Sequence, residues 1–167
     1  MNKRFIRYTI DWCQGEILEG RIVLLFGCLC TLVTLILWRT GTTPNAKALV
    51  IPLLVVSLLH VGTGLSMMRS NRARINAFSM AYQANPAQFV QQEKIRTESF
   101  MKWYPLTRYV VGGLFLIGML VFLFTTAPLW KSVAICLLIT GFSILLIDYF
   151  SEERATQYHQ HIIETLS

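Results

Sequence analysis

Four long apolar runs constrain the fold of this chain more than any other feature of its sequence. They cover residues 22–38, 46–68, 108–126 and 129–150. A helix needs about 20 mostly apolar residues to cross a bilayer core roughly 30 Å thick, and each run comes close to that length or exceeds it. The sequence therefore predicts an all-α, polytopic membrane protein. Its four transmembrane helices would form two antiparallel hairpins, with helical extensions on the cytoplasmic side.

The distribution of Lys and Arg predicts the orientation of these helices. Of the 15 basic residues, Arg39, Lys47 and Lys131 alone lie beside the two outer turns, and all the others fall in the remaining segments. Positively charged segments stay on the cytoplasmic side, so both termini and the central segment are predicted to be cytoplasmic. The net charge of +6 suits an inner membrane with anionic lipids. Because basic residues beside membrane helices are expected for this reason alone, we predict no nucleic-acid partner.

The polar segments have helical patterns of their own. We interpret 1–167 as a single membrane domain with a cytoplasmic amphipathic helix over 1–20, a cytoplasmic helical hairpin over 69–104 and a cytoplasmic helix over 151–167. The tip of the hairpin is placed at Asn85-Pro86, because Asn is a good N-cap and Pro is tolerated at the first helical position. The first helix would either lie on the membrane or a partner, or pack against the protein's own cytoplasmic part. The hairpin would either project from the membrane or lie flat on it.

Polar side chains recur at helical spacing inside the second and fourth apolar runs. His60 is the one histidine within a run, and an ionisable residue at membrane depth is a candidate for function. It would act as a proton relay or ligand, or else be a neutral ring that hydrogen-bonds a Ser or Thr of a neighbouring helix. A charged ring would be costly there, so the sequence predicts a neutral one. The candidate polar stripe has six members: Ser57, His60, Thr63, Ser132, Cys136 and Thr140.

Three charged residues mark the cytoplasmic edge of the apolar runs. Asp148 comes near the end of the fourth run, at the level of Arg69 and Arg108. This placement predicts a salt bridge between the acid and one of the two arginines. The alternative is an acid that coordinates an ion.

Motifs for catalysis and for cofactor binding are absent from the sequence. There is no phosphate-binding Gly-rich loop, no dinucleotide fingerprint, no HExxH and no CxxC. We therefore predict no enzyme activity, no cofactor and no metal site. The leading prediction is a small inner-membrane protein that acts through protein–protein contacts, of the immunity or accessory-subunit type. Its four-span topology is similar to that of bacteriocin immunity proteins.

Two alternatives stay open at this point. The first is a homo-oligomeric channel or small-solute carrier in which the polar stripe faces a pore. The second is a membrane enzyme that modifies lipids. In each case the predicted partners are the lipid bilayer and either another membrane protein or a second copy of this chain.

Overall fold

The computed structural model describes residues 3–167, and helices make up almost all of this part of the chain. Five helices follow one another: α1 (Lys3–Thr40), α2 (Pro44–Ala84), α3 (Pro86–Met101), α4 (Tyr104–Phe124) and α5 (Pro128–Leu166). Four helical segments are long and apolar enough to cross a membrane. The predicted all-α fold with four membrane-spanning helices is confirmed, and these helices indicate a membrane protein.

Two helices continue through boundaries that the sequence pattern suggested. The predicted helix over 1–20 and the first apolar run form one continuous helix, α1, of 38 residues. In the same way α5 joins the fourth apolar run to the C-terminal segment. Gly15 and Gly20 lie inside α1 without ending it. A helical Gly costs only about 1 kcal/mol relative to Ala, which the packing of α1 against its neighbours can offset.

The polar ends of the long helices form a packed bundle of their own. We call residues 3–20, 69–101 and 151–166 the polar bundle, and the four apolar runs the apolar layer. Seven buried side chains from α1, α3 and α5 form the core of the polar bundle: Phe5, Trp12, Cys13, Phe89, Val90, Tyr158 and Ile162. The start of α1 therefore packs against the protein's own polar part, which is one of the two alternatives that the sequence left open.

Asn85 makes the turn from α2 into α3. Its side-chain Oδ1 accepts a hydrogen bond from the Gln88 backbone N–H at 3.1 Å, and Pro86 occupies the first helical position. The predicted N-cap is confirmed. The Asn85 backbone N–H donates to Ala81, at the end of α2, so this one residue serves both helices. The turn brings the ring of Phe89 to 5.7 Å from that of Phe78, and α3 thus packs against α2.

The first two helices approach each other very closely in the apolar layer. A Cβ atom built at Gly64 would lie 2.6 Å from the backbone oxygen of Gly20 and 2.6 Å from the backbone nitrogen of Leu24. One built at Gly27 would lie 2.7 Å from the backbone nitrogen of Val61. Small residues are what allow two helix backbones to approach in lipid, where the hydrophobic effect gives little help. The α1–α2 hairpin is therefore a tight pair.

Candidate functional site

A cleft of about 800 Å³ lies among the helices of the apolar layer. Most of its wall comes from α1 and α5, with a few residues from α2 and α4. Apolar side chains make up almost all of this wall, and His60 and Ser143 are its polar exceptions. The Ser143 hydroxyl donates to the backbone oxygen of Ile139 at 2.9 Å. Residues that line the cleft along its length include Ile22, Phe26, Val33, Leu53, Phe115 and Ile147.

Among the described residues of the cleft wall, His60 has a ring nitrogen without a hydrogen-bond partner. The residue is 93% buried, and its Nδ1 lies 2.8 Å from the backbone oxygen of Val56. A carbonyl oxygen only accepts, so Nδ1 carries a hydrogen, and in the neutral ring that the sequence predicts Nε2 is an acceptor. In the described part of the chain Nε2 has no hydrogen-bond partner. Among residues 3–167 the predicted contact of His60 with a hydroxyl of another helix is not formed, and the rings of Phe26 and His60 instead pack in a T-shaped pair with their centres 5.1 Å apart.

The other members of the predicted polar stripe do not come together along one path. The buried hydroxyl of Ser57 donates to Leu54, and that of Ser132 donates to Pro128, each at 2.8 Å within its own helix. Such bonds to the preceding turn satisfy a hydroxyl without any neighbour. Cys136 packs in a small apolar cluster. Thr63 lies on an exposed face of α2, whereas Thr140 is half-buried.

The charges at the edge of the apolar layer pair differently from the prediction. The guanidinium of Arg108 contacts the carboxylate of Glu152, which lies one turn beyond Asp148 on α5. Asp148 itself is half-buried, and Arg69 is exposed. Glu152, which lies one turn further along α5 and already belongs to the polar bundle, thus forms the ion pair with Arg108 that the sequence assigned to Asp148.

A buried ion network, which the sequence analysis did not find, joins α1 to α5 where the polar bundle meets the apolar layer. The Arg154 guanidinium lies 2.9 Å from a carboxylate oxygen of Glu16 and also contacts the carboxylate of Glu19. Both acids are more than 90% buried. The network extends to α4, because the Ser151 hydroxyl approaches Glu16 at 3.4 Å and Tyr104 at 3.1 Å.

A second buried network holds α3 in the polar bundle. Glu93 is 97% buried and accepts two hydrogen bonds from Arg96, at 2.8 and 2.6 Å. The Tyr158 hydroxyl of α5 donates to the same carboxylate at 2.8 Å and lies 3.0 Å from the hydroxyl of Thr9 on α1. Burial, together with the Glu93 charge, raises the pKa of Tyr158 far above its usual value. The Arg96 guanidinium also lies 4.7 Å from the centre of the Trp12 ring, a distance at which a cation and an aromatic face attract.

One face of the polar bundle carries a shallow groove of about 530 Å³. Its wall includes the exposed cation Arg74 from α2 and two large side chains, Ile95 and Trp103, that are each more than 60% exposed. Gln92 and Ser99 of α3 add polar groups. The groove thus combines exposed apolar area with positive charge outside the apolar layer. We call it the α2/α3 groove.

Comparisons with protein-family models, with curated proteins and with solved structures find no significant match to this chain. Among residues 3–167, no three His, Cys, Asp or Glu side chains are grouped so that they could hold a metal ion.

The network around Arg154 predicts a pH dependence of stability. Burial, aided by the neighbouring charge of Glu16 and opposed by Arg154, raises the pKa of Glu19 from the usual 4.5 to about 7. Its Oε1 atom is buried without a hydrogen-bond partner. Between these two pH values the folded protein binds up to one proton more than the unfolded chain, so its stability falls as the pH rises. The contribution is fully present below about pH 4.5 and is lost above about pH 7.

We expect Glu19→Gln to remove this slope, because the amide cannot titrate. The measurement is the free energy of unfolding in mixed detergent micelles between pH 4.5 and 8, compared with that of the unaltered protein so that other groups cancel. Glu153→Gln, at an exposed acid of α5, is the control and should leave the slope unchanged. Parallel curves for the Glu19 variant and the unaltered protein would contradict the prediction.

Proposed function

We propose that this protein is a small inner-membrane interaction protein, of the immunity or accessory-subunit type, that binds another membrane protein through its polar bundle. The α2/α3 groove is the observation that supports this most directly. Trp and Arg are enriched among the residues that dominate binding at interfaces, and Trp103, Arg74 and Ile95 all line the groove. Clustered exposed apolar side chains are also typical of interaction sites.

We place the polar bundle and both chain termini in the cytoplasm. The turn between α1 and α2 and the turn between α4 and α5 then lie on the outer side, with Arg39, Lys47 and Lys131 as the basic residues beside them. The remaining Lys and Arg residues lie on the cytoplasmic side, as the positive-inside rule requires.

Reporter fusions test this orientation. Fusions after Pro44 and after Pro128 should give an outside signal, because those residues begin α2 and α5 at the outer ends. Fusions after Asn85 and Ser167 should give an inside signal. The measurement is the ratio of a periplasm-active to a cytoplasm-active reporter at each point. An outside signal at Asn85 would overturn the proposed orientation and with it the cytoplasmic location of the α2/α3 groove.

The positive charge of the α2/α3 groove favours a partner with a negatively charged segment. Arg74 is an exposed cation at the groove, whereas the charge of Arg96 is already paired with Glu93. Among residues 3–167, Arg74 forms no salt bridge, and its guanidinium donates a hydrogen bond to the Asn71 amide oxygen at 3.2 Å. An acidic segment would therefore meet a cation that is available for an ion pair. Complementary charge raises the association rate and excludes wrong partners. The partner we propose is an acidic cytoplasmic segment of another membrane protein, with an apolar side chain that packs on Ile95 and Trp103.

Site-specific photocrosslinking in cells tests the proposal. A photoreactive amino acid at Ser99, in the groove, should give one discrete product, and mass spectrometry should identify it as a membrane protein with an acidic cytoplasmic segment. Thr156, exposed on α5, is the control position and should give none. Arg74→Glu should reduce the yield roughly tenfold or more, since like charges at an interface repel, while Arg74→Lys should retain most of it. A product that contains only lipid or a second copy of this chain would contradict the proposal. A crosslinking yield that Arg74→Glu leaves unchanged would contradict it as well.

A further inference from the structure

We infer that the cleft in the apolar layer binds a lipid-like alcohol, whose hydroxyl donates a hydrogen bond to Nε2 of His60. The inference is independent of the proposed partner at the α2/α3 groove, because it concerns a different surface and a different kind of ligand.

Within residues 3–167 the His60 ring has one paired and one unpaired nitrogen. Its Nδ1 is held by the Val56 backbone oxygen at 2.8 Å, which leaves Nε2 as an acceptor with no partner in residues 3–167. The wall of the cleft contains this ring, and almost every other side chain in the wall is apolar. An acceptor in such surroundings is stabilised by any occupant that donates to it, because no water or lipid tail replaces the missing bond.

His60 lies deep in the apolar layer. Along α2 it lies eight residues before Met68, where the apolar run ends, and a helix rises about 12 Å over that distance. The polar oxygens of ordinary phospholipids lie outside the hydrocarbon core, and acyl chains contain no donor. A water molecule is held by two to four polar partners, and the cleft wall offers two acceptors at most, Nε2 of His60 and the oxygen of Ser143, whose hydrogen is donated to Ile139. This wall therefore favours an occupant that brings one hydroxyl into the core together with a large apolar part.

The size and shape of the cleft indicate the kind of molecule that it holds. Its volume of about 800 Å³ lies within the range of roughly 300–1,000 Å³ that small-molecule sites occupy, often between the helices of a bundle. Such sites are mostly apolar and use a few polar groups to orient the ligand. Lining residues from Ile22 to Val33 on α1 extend over about 16 Å of helix, which suits an elongated chain. One acceptor in a long apolar cleft specifies a long apolar ligand with one donor.

Nuclear magnetic resonance on the full chain tests the inference. The protein is labelled with ¹⁵N-histidine and held in phosphatidylcholine nanodiscs, and the His60 signals are assigned by their absence in His60→Gln. We expect 1-hexadecanol to shift the Nε2 resonance of His60 saturably and hexadecane, which lacks the hydroxyl, to leave it unshifted. The signals of His159 and His161, in the polar bundle, serve as internal controls and should not move.

Retention of radiolabelled 1-hexadecanol by the nanodiscs, in excess of its retention by protein-free nanodiscs of the same lipid, gives a second readout. His60→Leu should weaken it roughly three- to tenfold, the scale of one hydrogen bond between groups in a membrane, and His60→Gln should restore part of it because the amide oxygen accepts. Ser143→Phe, which fills the cleft, should abolish it while His60 stays intact. Circular dichroism checks that each variant folds.

Three outcomes would overturn the inference. Equal shifts with hexadecanol and hexadecane would mean that the cleft takes any hydrocarbon chain. No shift with either would mean that Nε2 meets no hydroxyl ligand. An Nε2 resonance that is already hydrogen-bonded, and that changes only when a co-purified membrane protein is removed, would assign the cleft to a partner's helix instead.

Discussion

Replacing Arg154 by Met is expected to lower the free energy of unfolding by about 3–5 kcal/mol, the usual cost of breaking a buried ion pair by removing one partner. The guanidinium contacts both Glu16 and Glu19, and the side chains of Arg154, Glu16 and Glu19 are 26%, 12% and 8% exposed. Met keeps most of the volume but leaves two acids in a dry site without a cation. The loss can be measured by reversible unfolding in mixed detergent micelles at pH 8, followed by tryptophan fluorescence.

The same experiment has a matched control in Arg108→Met. Arg108 also bridges to α5, through Glu152, but its side chain is 56% exposed and that of Glu152 is 30% exposed. Exposed ion pairs contribute about 0–1 kcal/mol, so this variant should unfold almost like the unaltered protein. If the loss comes from unpaired charge, Glu16→Gln with Glu19→Gln should restore much of the stability of Arg154→Met. A similar loss in both arginine variants, or no rescue by the glutamines, would mean that the network around Arg154 stabilises the fold through packing alone.

The part of the fold that could be predicted from the sequence is the part with local signals. A run of apolar residues long enough to cross a bilayer identifies a membrane helix without any knowledge of its neighbours, and the N-cap at Asn85 depends on residues only three positions apart. The polar bundle gives no such signal. Arg154 meets Glu16 across 138 positions of sequence, and Tyr158 meets Glu93 across 65. A single sequence contains no pattern at these separations, so the buried networks were missed.

The one local clue to the networks was the pair Glu16 and Glu19, three residues apart on a helix that enters the apolar layer. Two acids on one helical face beside a membrane require a cation, which could have prompted a search for a partner. For a similar reason the sequence assigned the salt bridge with Arg108 to Asp148, whereas the acid that contacts Arg108 is Glu152. The sequence places Asp148 at the right depth, but only the helix packing shows that Glu152 meets Arg108. For His60 the sequence indicated a buried polar ring and could not show the cleft beside it.

The second large effect is expected at Gly64. An added Cβ in Gly64→Ala would lie 2.6 Å from the backbone of α1 at two points, the oxygen of Gly20 and the nitrogen of Leu24. Backbone atoms cannot rotate away as a side-chain tip can, so α1 and α2 must move apart. Overpacking of this kind costs about 1–3 kcal/mol, and larger substitutions such as Gly64→Leu should cost more. The free energy of unfolding in mixed micelles measures the loss.

Gly62→Ala provides a control two residues away on the same helix. A Cβ at Gly62 meets no atom within 4 Å, so this variant adds the same methyl group without a clash. Both variants gain the same intrinsic preference of Ala over Gly for a helix, about 1 kcal/mol, and the difference between them isolates the contact with α1. Because His60 on α2 packs against Phe26 on α1, separation of the two helices should also change the cleft. Gly64→Ala, unlike Gly62→Ala, should therefore shift the ¹⁵N resonances of His60, and equal stability of the two variants would contradict the close α1–α2 contact.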